Sequence, residues 1–253
     1  MKTKQGQEVP SISENYHGLI FDLDGVITQT AKVHARAWKK MFDQFLEKLS
    51  EEEGTDYKPL DIETDYPKYI DGIPRYDGVR EFLKSRDIEL PYGSPSDPPD
   101  NQTICGLGNR KNELFLETLE EQGAEVYGDT VTMIKKWRAA GLKTAVISSS
   151  KNCKPVLETA RLLHLFDARV DGVISAELDI PGKPEPDIFI EAAVRLNRSP
   201  AQCVVFEDAI AGVAAASKGH LGLTVGVARQ DNDDELLENG ADITVNQLTE
   251  FDK

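Results

Sequence analysis

The chain lacks what would tie it to a membrane, a secretory route or a large polyanion. No uninterrupted apolar run approaches the ~18 residues that read as a membrane-spanning helix. The polar start MKTKQGQEVPSISEN has no apolar centre of a signal peptide. Cysteine is scarce: Cys105, Cys153 and Cys203 stand far apart without C-x-x-C spacing, and three thiols cannot all pair. That usage suits a reducing compartment and excludes a disulfide scaffold. His17, His164 and His220 are isolated and read as surface or packing residues. Positive charge is in deficit, with 29 Lys and Arg against 44 Asp and Glu, a formal net charge of −15. Nucleic acid and membrane surfaces are therefore poor partners, and an anionic ligand should be small. These absences predict a cytoplasmic protein with a loose N-terminal tail over residues 1–15, and the chain is expected to be a monomer.

What is present can bury a core. The 253 residues are 40% hydrophobic, enough for one large domain or a core with a smaller companion. AKVHARAWKKMFDQFLEKLS places Trp38, Met41, Phe42, Phe45, Leu46 and Leu49 at helical spacing, and the aromatic stripe reads as a packing face. From Glu51 to about Ala124 no strand-like run appears, and LPYGSPSDPPDNQ reads as an irregular loop, so this stretch predicts an inserted helical module. From Val126 onward short apolar strands alternate with amphipathic helices. LKTAVIS, ARVDGVIS, CVVFED, LTVGVA and DITV read as extended, and CKPVLETARLLH and PDIFIEAAVRLN as helices. The pattern predicts an α/β fold, a doubly wound parallel sheet joined across the insertion by Gly18 to Phe21.

Ligands of such sheets bind at the carboxyl ends of the strands. Polar residues gather there. GLIFDLDG runs an apolar strand into Asp22 and Asp24, whose period-two spacing aims both side chains to one side, and Gly25 permits a sharp turn. TAVIS ends in Ser148, Ser149, Ser150, Lys151 and Asn152, VVF ends in Glu207 and Asp208, and GKPEPDIF presents Lys183 ahead of a helix. Each piece has a plain reading as a helix start or a turn, but their joint order does not. Carboxylates about 4 Å apart repel by about 4 kcal/mol per pair at an effective dielectric near 20. A divalent cation and Lys183 would relieve Asp22, Asp24 and Asp208. Hard oxygen donors without histidine or thiolate favour magnesium, and serine hydroxyls and backbone N–H groups would bind phosphate oxygens. The chemistry implied is phosphoryl transfer.

In this order the segments resemble the haloacid dehalogenase superfamily, whose motifs match Asp22-x-Asp24, Ser148, Lys183 and Glu207-Asp208. FDLDGVITQTAKVHARAWK, SSSKN, GKPEPDIFIEAA and FEDAIAGV resemble more narrowly its β-phosphoglucomutase-like subfamily. The resemblance implies a Rossmann-like core at residues 16–30 and 126–253 and a helical cap domain at 31–125. It implies Asp22 as the nucleophile that forms an aspartyl-phosphate and Asp24 as general acid/base. Ser148 and Lys183 would bind the transferring phosphate. Asp22, the backbone carbonyl of Asp24 and Asp208 would hold magnesium, with Glu207 beside it. The substrate would be a small phosphorylated sugar, with phosphate exchanged between the 1- and 6-positions of glucose. A sugar-phosphate phosphatase is the alternative, and a non-catalytic sugar-phosphate sensor a third reading.

The same resemblance has His34 help to position Asp24, and Ser150, Lys151 and Asn152 meet the sugar or its phosphate. Arg75 and Lys111 align with the cap cations that would grip the second phosphate, since arginine can clamp phosphate through paired hydrogen bonds. The plainer reading of Arg75 and the neighbouring Arg110 is solvated surface charge. Gln29 departs from the family, standing where most relatives carry an acid. The cap is also longer and does not reproduce the usual arginine-to-serine motif.

Overall fold

The computed structural model describes residues 10–70 and 74–252. Most of the tail expected over residues 1–15 lies outside the described residues, as do residues 71–73 just before Arg75. The described end of that tail is not loose. It forms one helical turn, α1 (Ile12–Asn15), with Ile12 buried.

The chain divides into two compact units, one holding the chain up to Thr30 and from Ala124 onward, the other Ala31–Gly123. The first unit is built on a parallel sheet of β1 (Gly18–Asp22), β2 (Lys143–Ile147), β3 (Ala168–Val170), β4 (Cys203–Glu207), β5 (Leu223–Val227) and β6 (Ile243–Val245), in the order β3-β2-β1-β4-β5-β6. From β1 the chain steps outward through β2 to β3, then crosses back to β4 and onward. The order reverses between β1 and β4, where open α/β sheets form their binding crevice. Register fixes this edge: Gly18 pairs with both Lys143 and Cys203, so Asp22 stands opposite Ile147 at the carboxyl end.

β1 and β4 are buried along their whole length, as expected of strands covered on both faces. Alternation then separates the two faces. Phe21 stacks on Phe206 with centroids 4.7 Å apart and meets Trp137 of α6 (Gly128–Ala139) at 6.3 Å. Ile20, Ile147 and Val205 pack instead with Phe189, Ala192 and Ala193 of α9 (Asp187–Arg195).

Two boundaries differ from the sequence expectation. The helix expected over CKPVLETARLLH stops early: α7 covers Cys153–Thr159, because Arg161 turns left-handed (φ 56°) and Leu162 N–H closes the end on Leu157 O. Only Ala168–Val170 of ARVDGVIS is extended. Asp171 then accepts from the N–H groups of Val173 and Ile174 and starts α8 (Gly172–Glu177). The remaining α-helices among the described residues of this unit are α10 (Ile210–Lys218) and α11 (Asp233–Glu238).

The second unit is helical: α2 (Ala31–Glu53), α3 (Asp65–Tyr69), α4 (Arg75–Lys84) and α5 (Ile104–Gln122). The aromatic stripe of α2 is a packing face. Trp38 stacks on Phe42, and Phe42 meets Phe82 of α4 at 4.1 Å. No helix among the described residues is long and apolar enough to cross a membrane. All three cysteines are free and buried.

Candidate active site

Three strands of the first unit bring their polar ends to one edge. Asp22 is the last residue of β1 and only 6% exposed. Lys183 reaches it from the loop before α9, with Nζ 2.6 Å from Asp22 Oδ1 and 2.7 Å from Glu207 Oε2. Burial by itself would lower the pKa of this lysine, but the two carboxylates outweigh burial and hold it raised. Glu207 ends β4 and accepts the Ala209 N–H through Oε1 at 3.1 Å, so both its oxygens are engaged. Burial, then the charge of Asp22, pushes its pKa up to about 7. Asp208 is raised well above the usual carboxylate range by burial and then by Glu207 and Asp22.

Asp22, Glu207 and Asp208 each offer an oxygen, all within 4.8 Å of one another. Lys183 pairs with two of them, and among the described residues no ion pair reaches Asp208. A close set of hard oxygen donors with excess negative charge fits a divalent cation such as magnesium.

Asp24 keeps different company. Its Oδ1 accepts from the Thr30 hydroxyl, and its Oδ2 lies 3.4 Å from Ser148 Oγ. Thr30 and Thr28 are fully buried with their hydroxyls 2.9 Å apart, and Thr28 Oγ1 donates to Leu23 O at 3.1 Å. The two aspartates thus occupy separate environments, one against an ammonium and one against hydroxyls. Ser148 also accepts the Ser150 N–H at 3.0 Å, and Ser150 Oγ accepts the Asn152 N–H at 3.1 Å. This turn is packed from below: a Cβ on Gly172 would sit 2.6 Å from Ser149 O. Lys151 is exposed and Asn152 buried.

In the helical unit Lys111 and His34 meet, with Nζ 2.6 Å from Nδ1. His34 stacks on Phe115 at 4.1 Å, and the Lys111 ammonium lies 5.1 Å from the ring centres of both Trp38 and Phe115. Burial, then the charges of Lys111 and Arg75, drives the His34 pKa well below its ordinary value, so the imidazole is neutral. Arg75 opens α4 and donates to Asn112 Oδ1 at 2.9 Å. It is partly buried rather than freely solvated, whereas Arg110 makes an exposed pair with Glu113 at 3.3 Å, as surface charge does.

Sequence reasoning did not single out Thr28 and Thr30, although both stand in the ITQT segment that follows the aspartates. It also missed Tyr127, Asp129 and Arg229. A lone arginine 204 positions from Gly25 in sequence carries no local signal of its bond to that residue.

A parallel sheet ordered 3-2-1-4-5-6, with a buried aspartate clamped by lysine, a second aspartate held by hydroxyls and a compact carboxylate cluster, defines a phosphotransferase or phosphatase. A family model described as haloacid dehalogenase-like hydrolase matches residues 16–220, and the chain belongs to that family. It is 44% identical to a β-phosphoglucomutase of Mycobacterium bovis over 96% of this chain and 94% of that protein. It is 29% identical to the fructose-1-phosphate phosphatase YqaB of Escherichia coli over 80% of this chain and 92% of that one. The crystal structure of β-phosphoglucomutase from Clostridium difficile is similar with a TM-score of 0.70 at 25% identity, covering 93% of this chain and 92% of that one.

Proposed function

We propose that the chain is a magnesium-dependent β-phosphoglucomutase that converts β-glucose 1-phosphate to glucose 6-phosphate, with phosphate carried on Asp22. The observation that supports this most is the division of labour between two nearby carboxylates. Asp22, engaged through one oxygen by Lys183, has a second oxygen for attack on phosphorus. Asp24, hydrogen-bonded to neutral hydroxyls, is placed to move a proton.

With phosphate on Asp22, Asp24 takes the proton from the sugar 6-hydroxyl as that oxygen attacks phosphorus and the bond to Asp22 breaks. Once the bisphosphate has turned over, Asp22 attacks the phosphate on the 1-position, and Asp24 returns its proton to the leaving oxygen. Ser148, with the turn through Ser150, Lys151 and Asn152, offers donors to the phosphate and sugar oxygens. Lys183 holds Asp22 in place and bears on the transferring group. Asp22, Asp208 and the backbone carbonyl of Asp24 would hold the magnesium, with Glu207 beside it, and the ion would supply positive charge against the phosphate oxygens. In the helical unit, Arg75 and Lys111 are the cations for the second phosphate, and His34 helps to position Asp24. We read the chain as a cytoplasmic monomer, and its formal net charge of −15 disfavours nucleic acid and anionic membrane surfaces as partners.

Hydrolysis is the second reading, favoured by the likeness to the Escherichia coli phosphatase, since water can take the phosphate from Asp22 as a sugar hydroxyl does. One assay separates the readings. The protein is incubated with magnesium and β-glucose 1-phosphate, with and without the 1,6-bisphosphate, and glucose 6-phosphate and inorganic phosphate are followed. Primed isomerisation supports the mutase, and phosphate release without isomerisation refutes it. Neither product from a wide phosphate panel would point to a sensor. Asp22→Asn should abolish both activities, because an amide forms no acyl phosphate.

A further inference from the structure

We propose that Arg229 is a positioning residue that fixes the Asp24–Thr28 loop beside Asp208 and so sets the affinity of the carboxylate cluster for a divalent cation. It stands just past β5, and its side chain is 11% exposed. Nε donates to Gly25 O at 3.2 Å, and Nη1 to Asn246 O at 3.2 Å. Nη2 donates to Thr130 Oγ1 at 2.8 Å and Asp129 Oδ2 at 3.1 Å. The guanidinium lies 3.6 Å from the centre of the Tyr127 ring, which orients its plane. The groups that hold Arg229 are themselves held. Thr130 Oγ1 donates to Val26 O at 2.8 Å, and Asp129 Oδ2 accepts the Leu248 N–H at 2.8 Å.

All this converges on a loop that touches the cluster. Gly25 has φ +85°, and a Cβ there would lie 1.8 Å from Asp208 Oδ2, so the backbone runs directly against that carboxylate. The Gly25 N–H donates to Thr28 O at 2.8 Å. In a trans peptide the C=O points opposite to the N–H, so this bond turns the Asp24 carbonyl away from the turn. On the other side of Gly25, Arg229 holds the next carbonyl. The Asp24 carbonyl is therefore set by two anchors, and Arg229 is the one that reaches across the fold.

The inference rests on the reading in which Asp22, Asp208 and the Asp24 carbonyl hold magnesium. Groups that hold metal ligands in place are commonly worth about 10–100-fold in metal affinity. The sign of the effect is diagnostic. Through charge alone, loss of a nearby arginine would tighten cation binding; through lost positioning, it weakens binding.

The test is substrate-free binding of Mn2+, read by electron paramagnetic resonance, and of Mg2+, read by calorimetry, to the full chain, alongside thermal melts. Arg229→Gln should weaken binding about 10–100-fold. Arg229→Lys should fall between it and the wild type, and Tyr127→Leu should shift affinity the same way by less. Unchanged or tighter binding by folded Arg229→Gln overturns the proposal, even if its melting temperature falls. If that variant does not fold, unchanged affinity in Tyr127→Leu overturns it. Asp208→Asn tests the metal site itself: wild-type binding that this variant lacks supports the underlying reading. A wild type that binds neither ion refutes that reading and the role of Arg229 with it.

Discussion

Lys183→Met tests how far one ammonium holds the sheet edge together. Methionine keeps an unbranched apolar stem beside Phe189, whose ring centre lies 5.5 Å from Nζ, and removes only the charge and its hydrogen bonds. The carboxylates left behind are nearly dry, with the side chains of Asp22 and Glu207 8% and 1% exposed. Removing one partner of a buried ion pair typically costs about 3–5 kcal/mol, because the remaining charge has neither water nor counter-charge. At about 2–4 °C per kcal/mol for a chain of this size, the melting temperature should drop by about 6–20 °C in chelator-treated protein. Packing loss would give a smaller drop of the same sign, so a second variant is needed. Glu207→Gln removes the carboxylate whose pKa burial and Asp22 already push up to about 7, and in the Lys183→Met background it should restore part of the lost stability. The assay is calorimetry on the wild type, both single variants and the double variant. Additivity within about 0.5 kcal/mol would refute the reasoning, since it would mean that Lys183 and Glu207 do not sense each other.

Three further outcomes are expected. His34 is held neutral, with a pKa well below the ordinary 6.5, by burial, Lys111 and Arg75. The unfolded state therefore takes up the proton first: its stabilising effect is complete above about pH 6.5 and is lost toward lower pH at up to about 1.4 kcal/mol per unit. Melting curves between pH 7.5 and 5 should be flatter for His34→Asn than for the wild type; equal slopes would refute this. Gly212→Ala lies within α10, where helix propensity alone predicts a gain of about 1 kcal/mol. A Cβ there would sit 2.0 Å from Glu207 Cδ, so calorimetry should instead show a loss of about 1–3 kcal/mol. At Gly128 nothing lies within 4 Å, and Ala there should be neutral or slightly stabilising. Finally, Cys105, Cys153 and Cys203 are free and buried, with thiol pKa values raised by burial, Cys203 to about 11. A thiol reagent at pH 8 should label none of them in the folded protein and all after denaturation; rapid labelling of the native chain would contradict the packing.

The strands and the polar residues at their ends were legible because each is local. Leu19-Ile20-Phe21 followed by Asp22 is a buried strand meeting a charged edge, and the same reading applies to Val204-Val205-Phe206 before Glu207. Asp171 was legible in principle, since Asp before Gly-Val is a helix-start signal, yet the apolar letters of ARVDGVIS read as extended. The burial of Lys111 was not legible. Phe115 lies one turn along the same helix, but Trp38 and His34 come to its ammonium from α2, which no local pattern announces. Arg229 escapes for the same reason on a larger scale, because its partners come from residues 25, 127, 129, 130 and 246. A side chain whose contacts are all long-range leaves no period, run or motif for a reader of the chain.

The segment around Thr28 carries a consequence for how such a protein can change over evolutionary time. Gln29 N–H donates to Glu125 O and Tyr127 N–H to Ile27 O, both at 2.9 Å, and Thr28 bridges Val126 in antiparallel fashion. The outgoing and returning chains are thus already paired before residues 31–123 begin. A tight turn between Thr30 and Ala124 would close the same ladder. The intervening stretch is therefore a cassette whose loss or replacement leaves the register of the parallel sheet untouched, and a gene could acquire a new specificity by exchanging it whole while Asp22 and Asp24 stay where they are.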